Sequence, residues 1–129
     1  AGFVGTTNLL DGSITAVNGE TMRFEAKGLG SLTLPRPPEP PAPGPTTLAF
    51  RPHQVNIRVA DEAPDASRVW VDGVVENAEF LGEFSRYRVR VGEVALVADQ
   101  PHYSGLAMFP PGAAVRLGIE PGQLRFLTG

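Results

Sequence analysis

The chain has no cysteine, which excludes a disulfide framework and a thiolate metal site and fits a reducing cytoplasm. It has no basic surplus: 11 Lys and Arg stand against 14 Asp and Glu, a formal charge of −3. Domains that grip nucleic acid through its phosphates carry the opposite imbalance. No apolar run approaches the roughly 20 residues that span a bilayer, and no signal peptide is visible. There are two histidines, His53 and His102. A metal site would need both to converge with carboxylates such as Asp99 or Glu120, and a lone loop histidine more often hydrogen-bonds at the surface, so no metal is expected. No G-x-x-x-x-G-K-[ST] phosphate loop and no G-x-S-x-G elbow occur. Gly28-Leu-Gly30 lacks the third glycine and the helix of a dinucleotide fingerprint, and reads as a turn. No catalytic residues are expected.

Helical periodicity is also missing. No stretch keeps apolar residues at i, i+3, i+4 over the roughly 10 residues that a helix requires. What is present is strand, turn, strand. Ser13–Val17 runs into Asn18-Gly19, which favours a two-residue hairpin turn. Met22, Phe24 and Ala26 share one face of the next strand, and Leu32 and Leu34 one face of the strand after it. Seven of the thirteen prolines then fall in Pro35–Pro45, a stiff extended connector. Arg68–Phe80 is the longest strand, and Gly73 disturbs its alternation as a β-bulge would. Leu81–Phe84 is a turn. Ser85–Val91 alternates cleanly, with Tyr87, Val89 and Val91 inward and Arg86, Arg88 and Arg90 outward. Val94–Ala98 follows, and Asp99–Pro111 is irregular. Nine or ten short strands with frequent turn signals predict an all-β barrel or sandwich.

One phrase occurs twice. Leu48-Ala-Phe-Arg-Pro-His-Gln-Val-Asn-Ile57 returns as Leu117-Gly-Ile-Glu-Pro-Gly-Gln-Leu-Arg-Phe126, without a gap. Leucine, proline and glutamine are identical, and apolar positions match. Asp11-Gly12 and Asp72-Gly73 open the two halves alike. The architecture predicted is one region of 129 residues made of two related β units sharing a core, approximately 1–59 and 68–127, joined by an acidic loop 60–67.

The phrase carries Arg51 and His53 in its first copy, but Glu120 and Gly122 in its second. What recurs is an apolar frame with a proline corner. What differs leaves Arg51 and His53 as ligand or partner candidates. The stripe of Arg86, Arg88 and Arg90 has two readings: an anion contact, or a solvated face paired across the hairpin, with Arg86 opposite Glu79 and Arg88 opposite Asn77. Trp70 shares its face with Arg68 and Asp72; it is either an interface anchor or covered by a second β unit.

These motifs together resemble the C-terminal TOBE (transport-associated OB) domain of ABC importer ATP-binding subunits of the polyamine, ferric-iron and maltose type. Phe3, Gly5 and Asn8 resemble the F-[IV]-G-x-x-N segment that follows the nucleotide-binding domain. Leu48–His53 is similar to the l-x-[IVF]-R-P-E phrase, with Pro52 in place and His53 where the family usually has glutamate. Val71–Val75 with Glu79-Phe80-Leu81-Gly82 resembles the V-x-G-x-[IV]…F-L-G segment, and Val115–Leu124 the closing strands. The resemblance implies an OB-like barrel with little or no helix, and no cofactor in this segment. ATP and magnesium would belong to an upstream domain, and the missing initiator methionine fits a piece of a longer protein. It further implies a cytoplasmic place against the inner membrane, homodimer contacts through the parent ATPase, contacts with permease subunits, and a regulatory role. Two rival readings come from other classes. One is a free-standing small-oxyanion module resting on Arg51 and the Arg stripe. The other is an oligonucleotide-binding OB domain, opposed by the negative charge and by Phe24, Phe50, Tyr87 and Phe126 lying in apolar phase. No nucleic-acid partner is expected.

Overall fold

In the computed structural model, residues 6–61, 66–102 and 108–127 are described. Among them are ten strands and no α-helix: β1 (Asn8–Val17), β2 (Thr21–Ala26), β3 (Gly30–Pro35), β4 (Gly44–Phe50), β5 (Val55–Val59), β6 (Val69–Phe80), β7 (Phe84–Val91), β8 (Val94–Pro101), β9 (Ala114–Ile119) and β10 (Arg125–Leu127). Two single 3-10 turns, Pro52–Gln54 and Pro121–Gln123, stand between β4 and β5 and between β9 and β10. The second half of the chain thus repeats the element order of the first.

All strand pairs are antiparallel, in two five-stranded sheets ordered β10-β4-β1-β2-β3 and β5-β9-β6-β7-β8. The orders are equivalent, but each contains one strand of the other half. β5 follows the first 3-10 turn and leaves its own sheet to pair with β9, Ile57 against Leu117. β10 makes the reciprocal move onto β4, Phe126 against Leu48. The boundary at residue 59 therefore falls after a strand that lies in the second sheet.

Alternation builds the core. Met22, Phe24 and Ala26 of β2, and Tyr87, Val89 and Val91 of β7, are buried, and with Leu10, Leu48, Val75 and Leu117 they belong to one continuous apolar cluster drawn from both sheets. A core drawn from both units is larger than either half alone could bury, which suits the size dependence of stability. Tyr87 is fully buried because its hydroxyl has a partner, accepting the Phe109 N–H at 3.3 Å.

The bulge expected at Gly73 lies three residues later. Gly73 stays in register with Val115, and the extra residue is Glu76, between the pairs Val75–Val89 and Asn77–Arg88. β1 carries the same bulge at Thr15. Gly73 is required for another reason: a Cβ there would lie 2.6 Å from Val89 Cγ1 and 2.7 Å from the Arg90 carbonyl oxygen. Gly12 meets the Glu25 carbonyl and the Phe24 ring in the same way. At both glycines a strand closes down onto its hairpin partner, which curls each sheet. The first hairpin turns on Gly19-Glu20, one residue later than expected, with Asn18 N–H donating to the Thr21 carbonyl at 2.8 Å. β8 runs to Pro101, so Asp99 and Gln100, expected in irregular chain, are strand residues.

Candidate functional site

The two copies of the repeated phrase meet. Each proline starts a 3-10 turn, and each turn ends on the shared glutamine. Gln54 Nε2 donates to Gln123 Oε1 at 2.6 Å, and Gln54 Oε1 accepts the Arg51 backbone N–H at 2.8 Å. Glutamine is retained in both copies because each side chain reaches the other copy.

Pro52 is buried under this junction, while Arg51 and His53 are exposed on it. They diverge. Arg51 faces a cleft of about 300 Å³ shared with Thr7, Gln54, Gln123 and Arg125. His53 faces a different one, about 340 Å³, between the 3-10 turn, β5 and β8, with Asn56, Arg58, Asp99 and Gln100. Among the described residues no group of three or more His, Asp or Glu side chains could hold a metal ion.

The arginine stripe is engaged by carboxylates. Arg86 lies opposite Glu79 in the ladder, but its guanidinium turns to the other neighbour and forms a bidentate pair with Asp99, at 2.8 and 2.9 Å. That hydrogen-bonded pair holds the Arg86 pKa above its ordinary value, against partial burial, which works the other way. Arg86 also donates to the Thr6 hydroxyl at 3.2 Å. Arg88 lies opposite Asn77, and both Arg88 and Arg90 donate to Glu76, at 3.2 and 2.6 Å. The hydrogen bond from Arg90 is the largest influence holding the Glu76 carboxyl below its usual pKa. The bulge aims Glu76 between two arginines that lie two residues apart on the facing strand.

Trp70 is half-buried, paired with Gly118, whose missing Cβ would lie 2.6 Å from the indole. The ring therefore covers β9 from the sheet's outer face. Arg68 approaches Glu120 at 4.0 Å beside it. Phe24, Phe50 and Tyr87 are buried, and Phe126 is half-buried; none of the first three has a face free for stacking.

Of the residues matching family motifs, Phe3 and Gly5 lie outside the described residues. Asn8 is buried at 4% exposure and reaches across to the second unit. Its Nδ2 donates to the Val97 carbonyl, and its Oδ1 accepts the Val97 N–H, both at 2.8 Å. The amide thus acts as one residue of a strand laid against the edge of β8. Phe80 is exposed and stacks on His102 at 4.5 Å. Gly82 adopts φ +85°, and His102 ties its carbonyl to Ser85 through its two ring nitrogens, at 3.0 and 2.7 Å. Sequence reasoning missed Glu76, Gln123 and Arg125, and named Asp99 only as a possible metal carboxylate, not as the partner of Arg86; of these only the glutamine left a signal, its identity in both copies.

The TOBE domain family matches residues 48–127, from the first copy of the phrase to the end of the second. The chain belongs to this family. It is 31% identical over 132 aligned positions to the spermidine/putrescine import ATP-binding protein PotA of Chromobacterium violaceum, covering 99% of this chain and 36% of that protein. The protein of the same name from Thermobifida fusca is 30% identical over 131 positions, covering 100% of this chain and 33% of the relative. The PotA of Pseudomonas aeruginosa strain UCBPP-PA14 is 30% identical over 91 residues, 70% of this chain and 25% of its own. This TOBE chain spans a quarter to about a third of the length of the curated relatives it matches. A structure of the cytoplasmic molybdate-binding protein ModG with molybdate bound superposes with a TM-score of 0.76 over 95% of this chain and 96% of that one, at 14% identity. That likeness is one of fold: the all-β, OB-type double unit.

Proposed function

We propose that this TOBE chain is the accessory regulatory and dimerisation domain of the ATP-binding subunit of an ABC importer of the polyamine, iron or sugar class. One observation carries the reading. The chain aligns along 99% of its length with a third of an ATP-binding import protein, so its relatives hold it as one part of such a subunit. Nucleotide chemistry lies outside it, because the sequence has no phosphate loop to cradle a triphosphate. ATP and magnesium then bind in the preceding domain of the parent, and this domain does no catalysis. It sits at the cytoplasmic face of the membrane beside permease subunits, and two copies meet through the parent dimer. Trp70 is the proposed anchor of that contact, since a half-exposed indole on a rigid strand supplies area at low entropic cost.

Two measurements test this. The gene upstream of Ala1 is sequenced; absence of a phosphate loop and an ABC signature there overturns the assignment. The parent protein is then sedimented with and without Trp70→Ala. A weaker dimer is expected, and an unchanged dimer removes Trp70 from the contact.

A further inference from the structure

A strand with a neighbour on one side only leaves a row of N–H and C=O groups unpaired on the other, and natural sheets guard such edges. Most edges here are guarded. β10 is three residues long, β3 ends on Pro35 and β8 on Pro101. The β8 edge is also engaged at Val97 by Asn8, and β5 packs beside it. The outer end of β6 is the exception. β6 pairs with β9 over residues 69–74, and Val75 still exchanges hydrogen bonds with the Ala113 carbonyl and the Gly112 N–H, at 2.9 and 2.7 Å. Beyond the bulge it keeps β7 on one side, and among the described residues nothing pairs with the other. The repeat shows this to be an extension. After its bulge β1 has two paired residues, Ala16 and Val17, whereas β6 has four, residues 77–80.

The register decides which groups point outward. The Leu81 N–H donates to the Phe84 carbonyl at 2.9 Å, so the backbone of Leu81 faces β7. Alternation then turns the N–H and C=O of Glu79 and Asn77 to β7 as well, and those of Ala78 and Phe80 away from it. The side chains sort by face. Ala78 and Phe80 stand opposite Tyr87 and Ser85 on the core side of the sheet, yet both are exposed, Phe80 at 72%. Asn77 and Glu79 lie on the outer side, opposite Arg88 and Arg86. Arg88 and Arg86 are taken by Glu76 and Asp99. Glu79 and the exposed turn residue Glu83 are therefore left without an ion pair among the described residues. The edge thus offers two outward N–H groups, two outward C=O groups, an apolar side and an acidic side.

We infer that the outer edge of β6, residues 77–80, is a docking site for an extended segment of a partner protein in which apolar and basic residues alternate. Added as a further antiparallel strand, the segment exchanges main-chain hydrogen bonds with Ala78 and Phe80. Its apolar side chains lie beside Ala78 and Phe80, and its Lys or Arg side chains lie beside Glu79 and Glu83. A second copy of this chain fits poorly. Any antiparallel self-pairing of so short an edge sets two Glu79 carboxylates opposite or diagonal to each other, and like charges so placed are destabilising. The docking edge goes beyond the proposed accessory role and holds whether or not an ATPase precedes the chain.

The probe is the blocked pentapeptide acetyl-Val-Lys-Val-Lys-Val-amide, titrated into the 129-residue chain while NMR follows amide hydrogen exchange. In the free chain the Ala78 and Phe80 amides exchange fast and those of Asn77 and Glu79 slowly. Saturating peptide slows Ala78 and Phe80 about tenfold or more. The valine N–H groups of the bound peptide face β6 and its lysine N–H groups face away, so N-methylation of the valines abolishes binding and N-methylation of the lysines does not. Ala78→Pro removes one outward donor, leaves the β7 ladder intact and weakens binding about tenfold. Glu79→Lys, at an exposed position, moves the preference to the Val-Glu-Val-Glu-Val counterpart; should Ala78→Pro misfold, this variant and the methylated peptides carry the test. Equal response of the unaltered chain to both peptides overturns the inference. So do Ala78 and Phe80 amides that are slow before peptide is added, and undiminished binding of the valine-methylated peptide. A dimer of the free chain that sediments as such and is dissolved by Ala78→Pro overturns it too, because a second copy is then the occupant.

Discussion

Replacing Asn8 with alanine tests how the two units are joined. The side chain is buried and closes a two-bond ring with the backbone of Val97, 89 residues away. Val97 lies on β8, the edge strand of the second sheet, so no neighbouring strand in that sheet is there to replace Asn8. Truncation removes two hydrogen bonds with a net worth of about 1 kcal/mol each, and leaves a part-buried N–H and C=O unpaired, at about 1–3 kcal/mol per group when water cannot reach them. Partial access of water to an edge strand trims the second figure, so about 3 kcal/mol is expected for the whole. For 129 residues this corresponds to a fall in Tm of about 10 °C. Asn8→Asp should be no milder: it keeps the acceptor for the Val97 N–H but turns a carboxylate toward the Val97 carbonyl. Thr47→Ala is the control; it removes an exposed bond to Asp11 and should cost under about 1 kcal/mol. Urea unfolding gives the free energies, and hydrogen exchange at the Val97 amide gives the locus. If Asn8→Ala changes stability by less than about 0.5 kcal/mol, or leaves Val97 exchange unaltered, the clamp is not what joins the units.

Gly73→Ala should destabilise by about 1–3 kcal/mol in chemical denaturation, since its methyl meets Val89 and the Arg90 carbonyl, and Gly12→Ala should cost at least as much because its obstacle is backbone. Gly118→Ala should push the indole off β9; the chain has one tryptophan, so its emission would shift to the red, and an unshifted spectrum would contradict the packing. Glu76, held below the ordinary carboxylate pKa by Arg90, contributes stability present above the unfolded-chain value near about pH 4.3 and lost as pH falls through the lower folded value. Glu76→Gln should flatten that acid limb of the stability profile, most clearly at low salt.

The all-β class and a count of nine or ten strands were legible because alternation and turn residues are local signals. The inward set of Tyr87, Val89 and Val91 needed only the period of two. The exchange of β5 and β10 was not legible: the phrase says that a corner recurs, and nothing in it says which sheet the outgoing strand joins. Arg86 had two opposite-charge choices, Glu79 on one neighbouring strand and Asp99 on the other. Only the second is invisible in the sequence, because Asp99 falls where the pattern predicts irregular chain rather than strand. The bulge went to Glu76 rather than Gly73 because glycine signals both a bulge and a close approach, and here it marks the approach. Asn8 could be placed in a motif, but its partner is backbone, which leaves no trace in side-chain pattern. The cleft that Arg51 faces joins residues from the N-terminal segment and both copies of the phrase, a convergence that only the folded chain supplies.

The reciprocal crossing of β5 and β10 governs how the molecule can be made. The first sheet lacks its last strand until Arg125–Leu127 has been synthesised, and β5 has no ladder partner until β9 exists. During translation the early half must therefore wait, with β4 bare along one edge, for chain more than 70 residues downstream. Folding should be late, concerted and slow for the domain's size, as expected when distant pairings must close together. A ribosome that stalls before β9 would hold an unfinished sheet whose open edges fit the strands of another nascent copy as well as their own.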